Sequence, residues 1–116
     1  MPDRDWTIFI RDIHYCASKI LNYTNGLNRE DFFSDSRTYD AVMRNLQIIG
    51  EASKKLSAEI KRKYKNIEWK KITGLRDIVV HDYSRIDEDI IWDVVHSKIP
   101  KLKLSIESIL KDISHK

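Results

Sequence analysis

Eight consecutive residues, Arg76-Asp77-Ile78-Val79-Val80-His81-Asp82-Tyr83, gather side chains suited to phosphate chemistry. Histidine titrates near neutrality and passes protons in either direction. Arginine is a permanent cation whose planar fork of donors matches phosphate oxygens. A phosphodiester whose own ribose hydroxyl is the nucleophile needs little more: one group to move protons, another to neutralise charge building on phosphorus. Asp77 stands four residues before His81, so on a helix its carboxylate could orient the imidazole. Arg76 and Tyr83, seven apart, share a helical face. Arg76 and His81, five apart, diverge by about 140° at 3.6 residues per turn. They meet on one phosphate only if the helix unwinds near His81 or if two copies of the chain contribute across an interface.

No other cluster competes with this one. The four histidines have no metal-ligand spacing, so a metal-independent site without a cofactor is expected. There is no Walker loop and no glycine-rich dinucleotide turn. The single cysteine, Cys16, falls on an apolar stripe and reads as a buried small hydrophobe. It permits no internal disulfide and suits a reducing cytoplasm. His14 and His96 read as an exposed polar residue and a structural one. No leader pattern and no bilayer-length apolar run is seen, so no membrane partner is expected.

The 116 residues carry a net charge of +3, unevenly spread. Residues 54–71 hold eight basic and two acidic side chains, while the segments on either side are slightly acidic. Lys61, Arg62, Lys63, Lys65, Lys70 and Lys71 thus form a positive stretch just before the motif. A solvated helix face would account for it; so would a surface that tracks RNA phosphates. An acidic protein would be served equally well.

The elements that must position these groups are helical. Only three glycines and two prolines argue against an all-β chain, and the apolar residues recur at helical intervals. A first helix is predicted from about Asp5 to Thr24, its stripe running Trp6, Ile10, Ile13, Ala17, Ile20, and Asn25-Gly26 stopping it. Residues 28–34 read as a connector whose Phe32 and Phe33 dock on the bundle. A second helix starts at Asp35 or Ser36 and persists to about Tyr64, with a kink or restart at Gly50 or Ser57. Its surplus apolar residues, Ala41, Ile48 and Ala52, suggest a further contact, inside the bundle or with another subunit. Asp40, Arg44, Gln47 and Glu51 line its polar side. Asn66 reads as the cap of a third helix. Gly74 inside it costs roughly 1 kcal/mol against alanine, which suggests a close backbone approach or room for a ligand beside Arg76. The fourth helix starts after Asp87 and should kink near His96 to Lys98, because Pro100 lies inside it. The expected architecture is all-α, an up-and-down four-helix bundle over residues 1–116 as a single domain.

Three stretches resemble the HEPN superfamily, and within it the HepT-like toxins paired with minimal nucleotidyltransferase antitoxins. The first is Arg76-x4-His81-x-Tyr83 following Ile72-Thr73-Gly74-Leu75, with a polar residue, Asp77, directly after the arginine. The second is Arg44-Asn45-Leu46-Gln47-Ile48-Ile49-Gly50-Glu51-Ala52. The third is the pair Trp69 and Trp92. The resemblance covers roughly residues 5 to 113; Glu68 departs from it, standing where many members have proline.

The resemblance implies an RNA endonuclease toxin of a type VII-like pair that cuts RNA, such as tRNA or mRNA, to a cyclic phosphate and a free hydroxyl. It implies His81 as the proton-transfer group and Arg76 as the phosphate clamp, with Asp77 and Glu51 in support. It also implies that a cognate nucleotidyltransferase attaches AMP to Tyr83 and so neutralises the nuclease. A homodimer with two motifs facing one cleft would bring Arg76 and His81 together. The competing reading is a non-catalytic helical partner or substrate-binding subunit of a nucleotidyltransferase, with Tyr83 as a docking or modification site and Arg76 and His81 structural.

Overall fold

The computed structural model describes the backbone of residues 2–80 and 88–114, and the side chains of residues 6–77 and 88–114. Among the described residues all regular structure is helical: α1 (Pro2–Thr24), α2 (Arg29–Ser34), α3 (Ser36–Lys54), α4 (Ala58–Lys63), α5 (Trp69–Val80), α6 (Glu88–Asp93) and α7 (Ile99–Ser114). A π-helical turn, Val94–Lys98, joins the last two.

The predicted stripe of α1 is its buried face, with Ile10, Ile13, Ala17 and Ile20 fully enclosed. The Thr24 hydroxyl donates back to the Ile20 carbonyl at 2.8 Å, and Gly26 takes a φ of 80°, the left-handed conformation that ends helices. Beyond it the chain is helical where a connector is expected. Asn28 accepts from the Asp31 amide at 2.8 Å, and this cap, with Glu30 and Asp31 at the positive end, starts α2. The short helix delivers Phe32, fully buried, into an aromatic cluster with Phe33, Tyr39 and Trp92.

Asp35 caps α3 through the Thr38 amide and hydroxyl. The helix passes Gly50 without interruption and stops at Lys54. The restart comes at Ser57, whose hydroxyl accepts from the Ile60 amide to open α4. Asn66 does not cap α5. It lies in the turn after α4, and the Glu68 carbonyl takes the first helical amides, Lys71 and Ile72. Burial explains the later start: Ile67 and Trp69 are both in the core, and the Trp69 indole donates to the Tyr64 carbonyl at 3.0 Å.

Pro100 acts where expected. Lacking an N–H, it cannot donate to a carbonyl four residues back. The chain adjusts just before it, with the Ile99 amide donating five residues back to Val94. Val94, Val95 and Ile99 stay buried through this turn.

Three antiparallel seams assemble the bundle: α1 on α3, α1 on α7, and α3 on α5. Each fully buried Ile, Leu or Phe contributes about 1.5–3 kcal/mol through loss of apolar surface to water. Polar ties fix the register at the rim. His14 is half-buried rather than exposed, because its Nε2 meets Glu107 Oε2 at 2.9 Å across the α1–α7 seam. The Tyr64 hydroxyl donates to Asp112 at 2.7 Å. Desolvation first, and then the Asp112 carboxylate, push the Tyr64 phenol up to about 12.

Candidate active site

Arg76 sits in the interior of α5, half-buried, with its backbone pressed against α3. The contact point is Gly50. A Cβ added there would lie 2.7 Å from both the amide nitrogen and the Cβ of Arg76, and 3.1 Å from the Thr73 carbonyl oxygen. No side chain fits, which gives the Ile-Gly-Glu-Ala segment a physical purpose. Its glycine lets two helices close onto the base of one arginine.

One turn along the same seam, Ser53 is fully buried. Its hydroxyl donates to the Gly50 carbonyl at 3.1 Å. Thr73 Oγ1 lies 2.6 Å from Ser53 Oγ, and with the serine proton already committed, Thr73 is the donor. This small network pins α5 to α3 beside Arg76 and leaves no buried polar side-chain atom unpaired among the described residues.

Of the two readings of Gly74, a close backbone approach or room beside Arg76, the structure agrees with the second. Nothing stands within 4 Å of where its Cβ would be, so it marks open space rather than a close backbone approach. The close approach belongs to Gly50. A glycine inside a predicted helix is the sequence signal in both cases, and only the three-dimensional neighbour separates them.

Asp77 and Glu51 are exposed. Neither they nor Arg76 forms a side-chain hydrogen bond or ion pair with another described residue. The guanidinium thus stands on a rigid base with its donors unengaged by those residues. In the polar row of α3, Asp40, Arg44 and Glu51 are exposed and Gln47 is half-buried. Trp69 packs in the core; Trp92 is half-buried, touching Phe32 and stacking on His96 at 5.3 Å. His81 and Tyr83 lie outside the described residues, as does the point where helix unwinding was considered.

The basic stretch is exposed at Arg62, Lys63, Lys65, Lys70 and Lys71 and half-buried at Lys61. Lys71 is partly neutralised by Glu68 at 3.2 Å, and Lys63 lies over the Tyr64 ring. Because α5 is a regular helix, Lys70 and Lys71 stand about 120–140° around its axis from Arg76. The fold therefore does not bring them onto the arginine's face. Among the described residues no three His, Cys, Asp or Glu side chains converge as a metal site. No described helix is long and apolar enough to cross a membrane.

The model of the family "Ribonuclease HepT-like" matches residues 13–109, a span that contains both the Gly50 segment and the Arg76–Tyr83 motif. The chain belongs to the HepT-like ribonuclease family. Among curated HepT-like relatives, "Putative RNase MJ0127" of Methanocaldococcus jannaschii is 40% identical over 113 residues, covering 97% of this chain and 93% of that protein. "Putative RNase MJ0125" of the same organism is 36% identical over 116 residues, the full length of both. "Probable ribonuclease HepT" of Thermococcus cleftensis is 36% identical over 103 residues, 89% of this chain and 94% of that protein. No solved structure matches the chain.

Proposed function

We propose that this HepT-like chain is a metal-independent endoribonuclease, the toxin of a toxin–antitoxin pair, with Arg76 and His81 as its working groups. The reading is carried by one observation: the family match spans a motif whose arginine has its backbone seated on Gly50 and its donors unengaged by described residues. In the reaction, His81 takes the proton of a ribose 2′-hydroxyl as the oxygen attacks the adjacent phosphorus. Arg76 neutralises the charge that develops on the phosphoryl oxygens. The bond to the 5′-oxygen breaks, that oxygen leaves as a hydroxyl after receiving a proton, and a 2′,3′-cyclic phosphate remains. Asp77 orients His81, and Glu51 supports the site from α3.

The reading places the two motifs of a homodimer at one cleft, which brings together groups that an uninterrupted helix would hold about 140° apart. Tyr83 is the control point. A cognate nucleotidyltransferase attaches AMP to its phenol oxygen, and the added phosphate competes with RNA for Arg76. Tyr83→Phe should block the mass gain seen when the chain meets that enzyme and ATP; AMP on another residue would refute this assignment.

Incubating the purified chain with RNA tests the nuclease itself. Fragments ending in cyclic phosphate and 5′-hydroxyl should appear, undiminished by a chelator. Intact RNA, or cleavage that strictly requires an added divalent metal, would overturn the proposal.

A further inference from the structure

On the side of α3 that faces α1 lies a second concave surface. A groove of about 400 Å³ runs between the two helices, lined by Asp12, Tyr15, Lys19 and Tyr23 of α1 with Arg44 and Ile48 of α3. Tyr15, Lys19 and Tyr23 fall at i, i+4 and i+8, one row along α1. Both tyrosines are exposed, Tyr15 by 61% and Tyr23 by 38%. The Lys19 ammonium sits between them, 5.0 Å from one ring centroid and 5.9 Å from the other. The Tyr15 hydroxyl first, and then that of Tyr23, raise the Lys19 pKa, so the ammonium stays charged. Across the groove Arg44 is exposed and makes no ion pair with a described residue.

Aromatic rings that face water beside fixed cations do nothing for the core. They are the materials of a platform for unpaired bases: each ring offers a π-face to any base, and each cation takes a backbone phosphate. We infer that this groove binds single-stranded RNA, with bases stacked on Tyr15 and Tyr23 and phosphates held by Lys19 and Arg44. The inference rests on the ribonuclease reading and deepens it, by giving the enzyme a substrate subsite separate from the cleavage point. Asp12 adds an acceptor for base or ribose donors. Arg44 precedes Gly50 by six residues, about 9 Å along the axis of α3 and about 120° around it. A strand occupying both places must span several nucleotides, which selects for extended single strands over dinucleotides and duplex.

A 2′-O-methyl oligonucleotide of about twelve residues carrying a photoactivatable uridine reads binding without cleavage, because the attacking hydroxyl is blocked. Irradiation with the full chain should attach it to the tryptic peptides Asp12–Lys19 and Ile20–Arg29. Tyr15→Ala with Tyr23→Ala should weaken its binding about tenfold or more, since each stacked base is lost separately. Both positions are exposed, and an unchanged helical spectrum shows that the variant is folded.

Crosslinks confined to other peptides, or unchanged affinity in the double variant, would overturn the groove. A dimer that dissociates in the double variant while RNA affinity holds would assign the surface to a second copy and overturn it equally. Cleavage of ordinary RNA by the wild type, measured in parallel, separates the two levels. Cleavage without groove crosslinks removes the groove alone, whereas groove crosslinks without cleavage support the groove and remove the ribonuclease reading.

Discussion

Where α1 and α7 pack, both helices bring branched aliphatics to the core: Ile10, Ile13 and Ile20 from one, Ile99 and Ile106 from the other, all fully buried. Where α3 meets α5 beside Arg76, the contact is made by a glycine, a serine and a threonine. The first seam removes large apolar area from water and holds the stability. The second also buries Trp69 and Leu75 of α5, but beside Arg76 it is built of small side chains. It sets a distance, because two backbones without a side chain between them have only one way to fit, and the Ser53–Thr73 hydrogen bond fixes the sliding register. Stability and placement are thus assigned to different seams, and substitutions should tell them apart.

The largest effect on stability belongs to the first. Ile106→Ala should lower unfolding free energy by about 2–5 kcal/mol in a denaturant titration, through lost burial and the cavity left behind. Cleavage under conditions where the variant is folded should be close to wild type. A cleavage defect that outlasts refolding would mean that the two seams are not separable.

Gly50→Ala should show the opposite pattern. The new methyl group would sit 2.7 Å from the Arg76 backbone, so α5 must move. Overpacking costs about 1–3 kcal/mol, and alanine's helix preference returns up to about 1 kcal/mol of that. A displacement of the arginine by about 1 Å can cost 100-fold in rate, so cleavage should fall far more than stability does. Gly74→Ala is the matched control on the open side. With nothing within 4 Å it should stabilise by about 0.4–1 kcal/mol and leave cleavage within about twofold. Equal cleavage losses at the two glycines would show that Gly50 has no special seat.

The smallest effect is at the rim of the stability seam. The hydrogen bond from His14, with a lesser pull from Lys103, holds the Glu107 carboxyl below its ordinary value of 4.5. A lowered carboxylate contributes stability that is complete above the unfolded value and lost as pH falls through the folded one. Glu107→Gln should therefore cost a small amount of stability at neutrality, a difference that fades as pH falls below about 4.5 and so flattens the acid side of the profile. An acid limb identical to wild type would remove His14–Glu107 as a contributor.

How much of this is legible in the sequence follows from what each feature depends on. The stripes of α1 and α7 are written in periodicity, and Pro100 announces its own defect, so the bundle and its disturbed last helix are readable from sequence. Residues 28–34 do not read as helix because the six residues of α2 give too little periodicity, although the Asn28 cap is available. Asn66 looks like a cap by residue type, but burial of Ile67 and Trp69 moves the helix start. His14 looks exposed because its partner, Glu107, is 93 positions away. The motif around Arg76 is visible as a chemical possibility; that Gly50 rather than Gly74 carries the close approach is not, since spacing along one helix says nothing of the backbone opposite.

The central claim is that Arg76 and His81 of two copies make one ribonuclease site, and a mixing experiment tests it most directly. Arg76→Ala and His81→Ala are each purified, then combined under conditions that exchange subunits, and RNA cleavage is measured before and after. Each variant alone should be inactive while remaining helical. The mixture should recover about a quarter of wild-type activity, because half of the dimers are mixed and each mixed dimer has one intact Arg76–His81 pair. Wild-type cleavage by either variant alone, or a mixture that stays inactive although mixed dimers are present, would contradict the account.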